Sequence, residues 1–334
     1  MAPSPYVTEE ADTVGTNVAL FLTVDTVVAL RGASIGIVGM LVTEECAGVM
    51  AAGVYNHVSG PTDGTLLSGV YSFCGGDTRG AMISGVFTWA DSSVTGVQLA
   101  GLFNHLSGPL MGVQVSSIYN DAESVQGVQV SGFVNSSHDV TGAQIGLVNV
   151  AGNVSGAQVG LINIATEENQ GLALGLFNYA PDGIFGVEAW VDEALVSSLG
   201  VAIGTRSLYS LFLCGRDFAS DDERWHFGLG WGGRFTFGQF FVDTDVLLTS
   251  HHSRNTDWSV PIEETLLPHI RLKTGMQVLG ELAVFIGADF QFHIPGLYVD
   301  EHAVRTAWGR IDIDFGDGRL TTIVPRLFFG VELF

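Results

Sequence analysis

Charged residues are scarce in this chain of 334 residues, and only one of them, Lys273, is a lysine. Aspartate, glutamate, lysine and arginine together make up 14% of the sequence, whereas soluble domains usually carry about 25%. The net charge is −22. Because nucleic-acid binding depends on clustered lysine and arginine, this composition argues against a nucleic-acid partner.

Long hydrophobic runs are also missing, although 47% of the residues are hydrophobic. The most apolar stretch, residues 17–42, is interrupted by Asp25 and Arg31, whereas a membrane-spanning helix needs about 20 largely uncharged residues. A closed β-barrel is the other structure that pairs every backbone group inside lipid. High hydrophobicity without a spanning helix therefore favours a membrane barrel.

Motifs for catalysis and metal binding have little support in the sequence. The three cysteines, Cys46, Cys74 and Cys214, form no Cys-x-x-Cys pair, so a zinc or redox motif is unsupported. The one Gly-x-Ser-x-Gly match, at residues 32–36, lies within the glycine repeat described below, and there is no Gly-x-x-x-x-Gly-Lys phosphate loop. We therefore predict a protein that is not an enzyme and that has no cofactor or metal site.

Glycine, in contrast, is abundant at 44 residues, and eleven of these recur at steps of 14 to 16 residues. Each opens a similar stretch, clearest in residues 96–104 and 156–163. A repeat this short cannot be a helical hairpin. It fits one β-strand of roughly ten residues plus a turn, which is enough to cross a bilayer. The recurring glycines are Gly32, Gly48, Gly64, Gly80, Gly96, Gly112, Gly127, Gly142, Gly156, Gly171 and Gly186.

The sequence divides into a polar leader at residues 1–16, repeat strands at 17–193, and alternating strands at 197–334. In the last region apolar and polar residues alternate over long segments, which places them on opposite faces of a sheet. The apolar face supplies candidate lipid-facing residues: Trp225, Phe227, Trp231, Phe235, Phe290 and Phe329. The polar face supplies candidate pore-lining residues: Arg234, Asp243, Asp245, Arg271, Lys273, Asp289, Asp312, Asp314, Arg326 and Glu332.

These patterns predict an all-β fold, an antiparallel transmembrane β-barrel of sixteen or more strands in one continuous barrel. The alternative is a parallel β-solenoid with one coil per repeat, followed by a smaller C-terminal barrel. In that alternative two series of identical amides would stack as ladders. The first is Gln98, Gln114, Gln129, Gln144 and Gln158; the second is Asn104, Asn120, Asn135, Asn149 and Asn163.

The antiparallel interpretation carries one covalent prediction. Cys46 and Cys74 are equally distant in sequence from Gly60, so a hairpin turn centred there would place them opposite each other. We therefore predict a possible disulfide between them, which an oxidising compartment would permit. A parallel solenoid offers no comparable reason for the two cysteines to meet.

The repeated motif Gly-x-Gln-[Val/Ile/Leu]-Gly-Leu-x-Asn resembles that of surface-repeat outer-membrane proteins of spirochaetes and other Gram-negative bacteria. The C-terminal half, ending in Phe334, resembles an outer-membrane porin, whose final aromatic belongs to the assembly signal. Such signals usually have an apolar residue two positions before the end, where this chain has Glu332.

These resemblances imply a bacterial outer-membrane location, with contacts to membrane lipid, the outer-membrane assembly machinery and further copies of the chain. The N-terminus lacks the basic start and apolar core of a signal peptide, so this interpretation requires that one was removed. The function expected is a porin-like diffusion channel or an envelope-structural barrel that forms oligomers. Because both faces of the repeat strands are uncharged, we expect this sheet to pack against a neighbouring subunit or to contact lipid on both faces. The alternative is a surface-exposed solenoid adhesin or interaction module anchored by a C-terminal barrel.

Overall fold

The computed structural model describes residues 14–18, 24–218, 224–253, 266–294, 309–314 and 320–334, and every regular element in these ranges is a β-strand. The all-β prediction is therefore confirmed. The chain divides into two compact units, with the boundary between Leu176 and Phe177. No helix in the described ranges is long and apolar enough to cross a membrane. The predicted leader, residues 1–16, lies outside the described residues except for its last three positions.

The single barrel of sixteen or more strands is wrong, and the alternative architecture is the one observed. The first unit is a parallel β-solenoid of about ten coils. Its strands are β1 (Val14–Val18), β2 (Val24–Gly36), β3 (Gly39–Ala52), β4 (Tyr55–Val58), β5 (Thr62–Ser68), β6 (Tyr71–Cys74), β7 (Thr78–Ser84), β8 (Phe87–Ala90), β9 (Val94–Ala100), β10 (Phe103–Ser116), β11 (Tyr119–Val125), β12 (Val128–Ser131), β13 (Val134–Val140), β14 (Ala143–Ile145), β15 (Val148–Val154), β16 (Ala157–Val159), β17 (Ile162–Asn169) and β18 (Leu172–Leu174).

Each repeat forms one coil, and equivalent residues of neighbouring coils pair side by side. Gly96 pairs with Gly112, and Gln98 pairs with Gln114, in parallel register. Within a coil, a strand carrying the repeat glycine is followed by a two-residue turn, here called the corner, and then by a second strand. In the coil of Gly96 the corner is Gly101–Leu102. The first coils enclose a hydrophobic core that includes Leu30, Met50 and Leu66.

The repeat glycines are required because the coils stack backbone to backbone at these positions. Gly96 has a φ of 139°, and a Cβ placed there would lie 1.9 Å from the carbonyl oxygen of Gly80. Gly127 meets the carbonyl oxygen of Gly112 at the same distance. Any larger residue would force the coils apart, which explains why glycine recurs with the period of the coil.

Both amide ladders exist inside the solenoid, and their hydrogen bonds run in opposite directions. Gln114 Nε2 donates to Gln98 Oε1 in the preceding coil at 2.9 Å. Asn104 Nδ2 donates to Asn120 Oδ1 in the following coil at 2.8 Å. These side chains are fully buried, so their polar groups need partners inside the protein. Stacking identical amides supplies those partners, and this favours parallel over antiparallel pairing.

The second unit contains a closed, eight-stranded antiparallel barrel. From β20 to β26 neighbouring strands pair in chain order, β26 pairs with β28, and β28 pairs with β20 to close the ring, so that β19 and β27 are not among its eight strands. The strand β27 pairs only with the beginning of β28 among the described strands. The strands are β19 (Phe177–Tyr179), β20 (Phe185–Asp192), β21 (Val196–Gly204), β22 (Leu208–Asp217), β23 (Arg224–Phe237), β24 (Phe240–Ser253), β25 (Leu266–Leu279), β26 (Leu282–His293), β27 (Ile311–Asp314) and β28 (Leu320–Leu333).

The repeat region therefore ends earlier than the predicted boundary at residue 193. Gly186, counted as the last repeat glycine, lies in β20, the first strand of the barrel ring. It pairs in antiparallel register with Ala202 rather than stacking on another repeat glycine.

Candidate functional site

The outer surface of the barrel is apolar along its strands. Trp225, Phe227, Trp231, Phe235 and Phe329, which are candidate lipid-facing residues, are all exposed, from 45% to 64%. The sixth candidate, Phe290, is half-buried on the outward-facing side of β26. The alternation of the strands therefore places all six on the outside.

The inside of the barrel is polar and charged. Arg234 binds Asp243 through two hydrogen bonds of 2.8 and 2.7 Å, and its Nη2 also lies 2.8 Å from Glu332 Oε1. Lys273 Nζ contacts Glu332 Oε2 at 3.2 Å and Asp243 Oδ2 at 3.0 Å. At most 7% of any of these four side chains is exposed. A buried charge is tolerated only when it is paired, and here each charge has an opposite partner.

Glu188 and Arg271 extend this network across the barrel. Glu188 receives hydrogen bonds of 2.8 Å from both Arg271 Nη2 and Lys273 Nζ. Arg271 Nε also donates to Asp245 Oδ2 at 2.6 Å, and the hydroxyl of Tyr209 donates to the other oxygen of Asp245. We call the resulting set the ion-pair cluster: Glu188, Tyr209, Arg234, Asp243, Asp245, Arg271, Lys273 and Glu332.

Aromatic rings pack on the three cations of this cluster. The guanidinium of Arg234 lies 4.3 Å from the ring centroid of Phe241, and that of Arg271 lies 4.6 Å from Trp190. The ammonium of Lys273 lies 4.6 Å from the ring of Phe285. These contacts stabilise the desolvated cations and fill space between the ion pairs. An eight-stranded barrel is just wide enough for its side chains to fill, and the cluster lies in this interior.

A second polar layer contains histidines. His269 bonds through Nε2 to the Thr249 hydroxyl at 2.7 Å and through Nδ1 to Asp289 at 3.0 Å. His226 Nε2 lies 3.0 Å from Ser198 Oγ. This arrangement resembles a nucleophile–base–acid series, but Thr249 is only 2% exposed. The bonds of His269 link β24, β25 and β26, and the contact of His226 with Ser198 links β23 to β21.

Arg326 bonds to Asp192 at 2.8 Å in the interior. The interior thus contains eight of the ten candidate pore-lining residues, all except Asp312 and Asp314. Both are exposed on β27, where Asp312 accepts a hydrogen bond from Thr322 at 2.6 Å. In strand register both share the face of Thr322 and Arg326, at the end of β28 beyond its pairing with β20. Their assignment to the lumen stays a prediction.

Sequence reasoning missed Glu188 and Tyr209, which are central to the cluster. Glu188 was overlooked because residues up to 193 were assigned to the repeat. One signal could have found it: the other repeat segments contain no charged residue between the glycine and the asparagine, whereas Gly186 is followed by Glu188. No sequence pattern distinguishes Tyr209 from the other tyrosines of the chain.

One end of the barrel opens into a cavity of about 760 Å³ whose lining includes Arg206, Arg234, Phe241, Gln277 and Phe334. The ring of Phe334 packs edge-on against Phe241 at 6.2 Å and lies over the guanidinium of Arg234. The C-terminal residue thus covers the ion-pair cluster at this end.

The predicted disulfide is not formed: Cys46 and Cys74 are buried free thiols. The hairpin that motivated the pairing does not exist, because the strands around Gly60 are parallel. Cys74 donates to the carbonyl oxygens of Gly60 and Gly76 at 3.3 and 3.2 Å. Burial, with a smaller contribution from Cys74, raises the pKa of the Cys46 thiol to about 12.

Several acidic residues of the solenoid lie at the end of the coil opposite the corner, either in the turn after the second strand or at the equivalent positions of longer strands, here called the acidic edge: Asp77, Asp91, Glu123, Asp139 and Glu167. Asp77 accepts hydrogen bonds from the hydroxyls of Ser92 and Ser93 at 2.6 and 2.7 Å. These bonds, with a third from the Ser93 amide, lower the pKa of the Asp77 carboxyl. In the described part of the chain, no group of three or more histidine, cysteine, aspartate or glutamate side chains could hold a metal ion.

No protein-family model matches this sequence, and the search of curated proteins finds no significant match. The function is therefore inferred from the geometry of the two units.

Proposed function

We propose that the barrel spans a bacterial outer membrane as a closed, non-catalytic anchor, and that the solenoid it carries is an interaction module. The observation that carries this proposal is the distribution of polarity in the barrel. Ionic groups fill the inside, whereas exposed tryptophan, phenylalanine and aliphatic residues cover the outside. This distribution suits hydrocarbon outside the barrel, because an apolar surface of this extent is unusual in water.

The strand lengths support the same proposal. The strands β23, β24 and β25 each contain 14 residues, whereas a tilted strand needs about 9–11 residues to cross a bilayer. All backbone groups of the ring can pair within it because β20 and β28 close the sheet. Closure is what permits a β-structure to reside in hydrocarbon.

A porin-like diffusion channel is the second candidate. The cavity of about 760 Å³ at one end of the barrel favours it. The ion-pair cluster beyond Arg234 favours a closed lumen instead, since its charged side chains are buried and paired with one another. Residence in the outer membrane, recognition by its assembly machinery and formation of homo-oligomers belong to the proposal and rest on the resemblance of the repeats and of the C-terminal half.

The membrane proposal is tested by placing a charge on the outside of a barrel strand. Val246, in the middle of β24, is 57% exposed, whereas Leu279, at the end of β25, is 78% exposed. We expect Val246→Arg to reduce folding into phosphatidylcholine vesicles by about 2–4 kcal/mol, and Leu279→Arg to have a much smaller effect. Folding is measured by heat-modifiable migration on gels. Equal effects of both variants, or complete folding of the protein without any amphiphile, would overturn the proposal.

Planar-bilayer recordings separate the two candidate functions. A closed anchor gives no discrete conductance steps with the vesicle-folded protein. Reproducible steps that change in the Arg234→Ala variant would instead establish the diffusion channel. Heat-modifiable migration of the same preparations confirms that each sample contains folded barrels.

A further inference from the structure

Four columns of outward-facing side chains follow the corners of the solenoid. Each column consists of one position of the repeat, taken from every coil. The four positions are the first and the third residue after the repeat glycine, the second residue of the corner, and the first residue of the strand after the corner. In the coil of Gly96 these are Val97, Leu99, Leu102 and Phe103. We call the four columns together the apolar ridge.

The apolar ridge has no charged residue in the eight consecutive coils that begin at Gly48 and end with the coil of Gly156. Its only polar members there are one threonine and three tyrosines. The side chains are open to the surroundings: Leu102, Phe133 and Leu147 are 40%, 54% and 44% exposed. With coils about 4.8 Å apart, the ridge extends for roughly 38 Å. An exposed apolar surface of this size marks an interaction site.

The second residue of the corner, Leu102 in the coil of Gly96, has both its backbone groups paired within the protein. Leu102 N donates to the carbonyl oxygen of Val86 at 2.8 Å, and the Leu102 carbonyl accepts from Ile118 N at 2.9 Å and from Tyr119 N at 3.1 Å. Turns normally leave such groups to water. Here the bonds run from coil to coil, so removing water from the corners would leave these groups paired. Contact with hydrocarbon requires such pairing, because hydrocarbon offers no hydrogen-bonding partner.

The shape of the ridge favours lipid over a second copy of the chain. Its columns lie on both sides of the corner, so the surface is convex. Two convex ridges would touch along a line and leave most of their apolar surface in water, whereas fluid acyl chains adapt to such a surface. The acidic edge lies at the other turn of each coil, which keeps the charged groups away from the ridge.

We propose that the apolar ridge inserts into the hydrocarbon of a bilayer leaflet, so that the solenoid is a second lipid-binding element of this chain. This inference rests on the proposed function in one respect: the barrel is what brings the solenoid to a membrane. It differs from that function because no strand of the solenoid has to cross the bilayer.

The full chain, folded into phosphatidylcholine vesicles, provides the test. A fluorophore is attached to single cysteines in a Cys214→Ser background, because Cys46 and Cys74 are buried. Leu102→Cys and Leu147→Cys report on the ridge, Ser107→Cys and Glu123→Cys on the exposed opposite turn, and Val246→Cys on the barrel. Quenching is measured with aqueous iodide and with doxyl-labelled phosphatidylcholine. Circular dichroism shows whether each variant keeps its β-structure.

We expect both ridge labels to be quenched by the doxyl lipid and to lose iodide quenching, whereas the opposite-turn labels show the reverse. Iodide quenching of the ridge labels as strong as that of Ser107→Cys would overturn the inference. Protection of the ridge labels from both quenchers would also overturn it, because a second copy would then cover the ridge. The Val246→Cys label separates the two proposals: if doxyl lipid does not quench it, the membrane-spanning barrel fails independently of the ridge result.

Discussion

The side-chain amide of Asn120 donates a hydrogen bond to the backbone carbonyl of Val130 in the next coil, with 2.7 Å between nitrogen and oxygen. The same amide contacts Asn135 Oδ1 at 3.0 Å. Val130 is the third residue after its repeat glycine, so its carbonyl faces inward just before the corner. The asparagine of the repeat thus satisfies a carbonyl that the tight corner would otherwise leave without a partner.

Replacing this asparagine is expected to destabilise the solenoid. Asn120→Ala leaves the Val130 carbonyl and the neighbouring ladder amides unsatisfied, which costs about 1–3 kcal/mol. The loss is measured by denaturant unfolding followed by circular dichroism. The matched control is Gln126→Ala, which removes an exposed amide beside the same coil. Equal midpoints for both variants would contradict a structural role for the ladder.

The ion-pair cluster predicts a large effect of Glu332 on the barrel. Glu332→Ala removes an acidic partner of both Arg234 and Lys273. Breaking a buried ion pair on one side costs about 3–5 kcal/mol, because the remaining charge stays desolvated. We expect the urea midpoint of the vesicle-folded barrel to fall accordingly. Glu281→Ala, which removes an exposed carboxylate near the β25–β26 turn, serves as control and should leave the midpoint unchanged.

The three cysteines are expected to differ in reactivity. Cys214 is exposed, whereas Cys46 and Cys74 are buried, and burial raises the pKa of Cys46 to about 12. Because the thiolate is the reactive form, N-ethylmaleimide in detergent should modify Cys214 alone until the solenoid unfolds. Mass spectrometry of peptides identifies the modified sites. A peptide that links Cys46 to Cys74 under non-reducing conditions would contradict the free thiols.

Asp77 predicts a pH dependence of the solenoid. Its pKa is lowered in the folded state by the Ser92 and Ser93 hydrogen bonds. The stabilisation is therefore present above the unfolded-state pKa of about 3.9 and is lost as the pH falls through the lower folded value. We expect the stability difference between the native protein and Asp77→Asn to shrink below about pH 4. The control Asp63→Asn removes another exposed carboxylate, and the same shrinkage in both variants would contradict the role of the serines.

Much of the barrel could be predicted from its sequence because alternation in a strand directly reports its two faces. Arg234 and Phe235 are neighbours in β23, yet one is buried among ion pairs and the other is 64% exposed. The alternation cannot show where a ring closes. For this reason Glu188, whose strand closes the ring by pairing with β28, was assigned to the repeat and not to the lumen.

The solenoid was harder to predict because these coils bury polar side chains and expose apolar ones, whereas proteins in water usually do the opposite. The lack of charge beside Leu102 and Phe103 argued against a solenoid in water, and so favoured a membrane barrel. The structure buries polar Gln98 and Asn104 instead and exposes the apolar side chains. The direction of pairing was visible only in the identity of the stacked amides, since antiparallel strands would not align glutamine with glutamine and asparagine with asparagine.

The one-to-one stacking of coils makes the length of this unit adjustable in whole steps. Copying a complete repeat, such as residues 96–111, would set each glycine and amide on its counterpart again and lengthen the stack by about 4.8 Å. Adding a single residue within a strand would instead turn all later side chains of that strand to the opposite face. Duplication of single repeats in the gene would therefore change the length of the solenoid one coil at a time, while its cross-section stays constant.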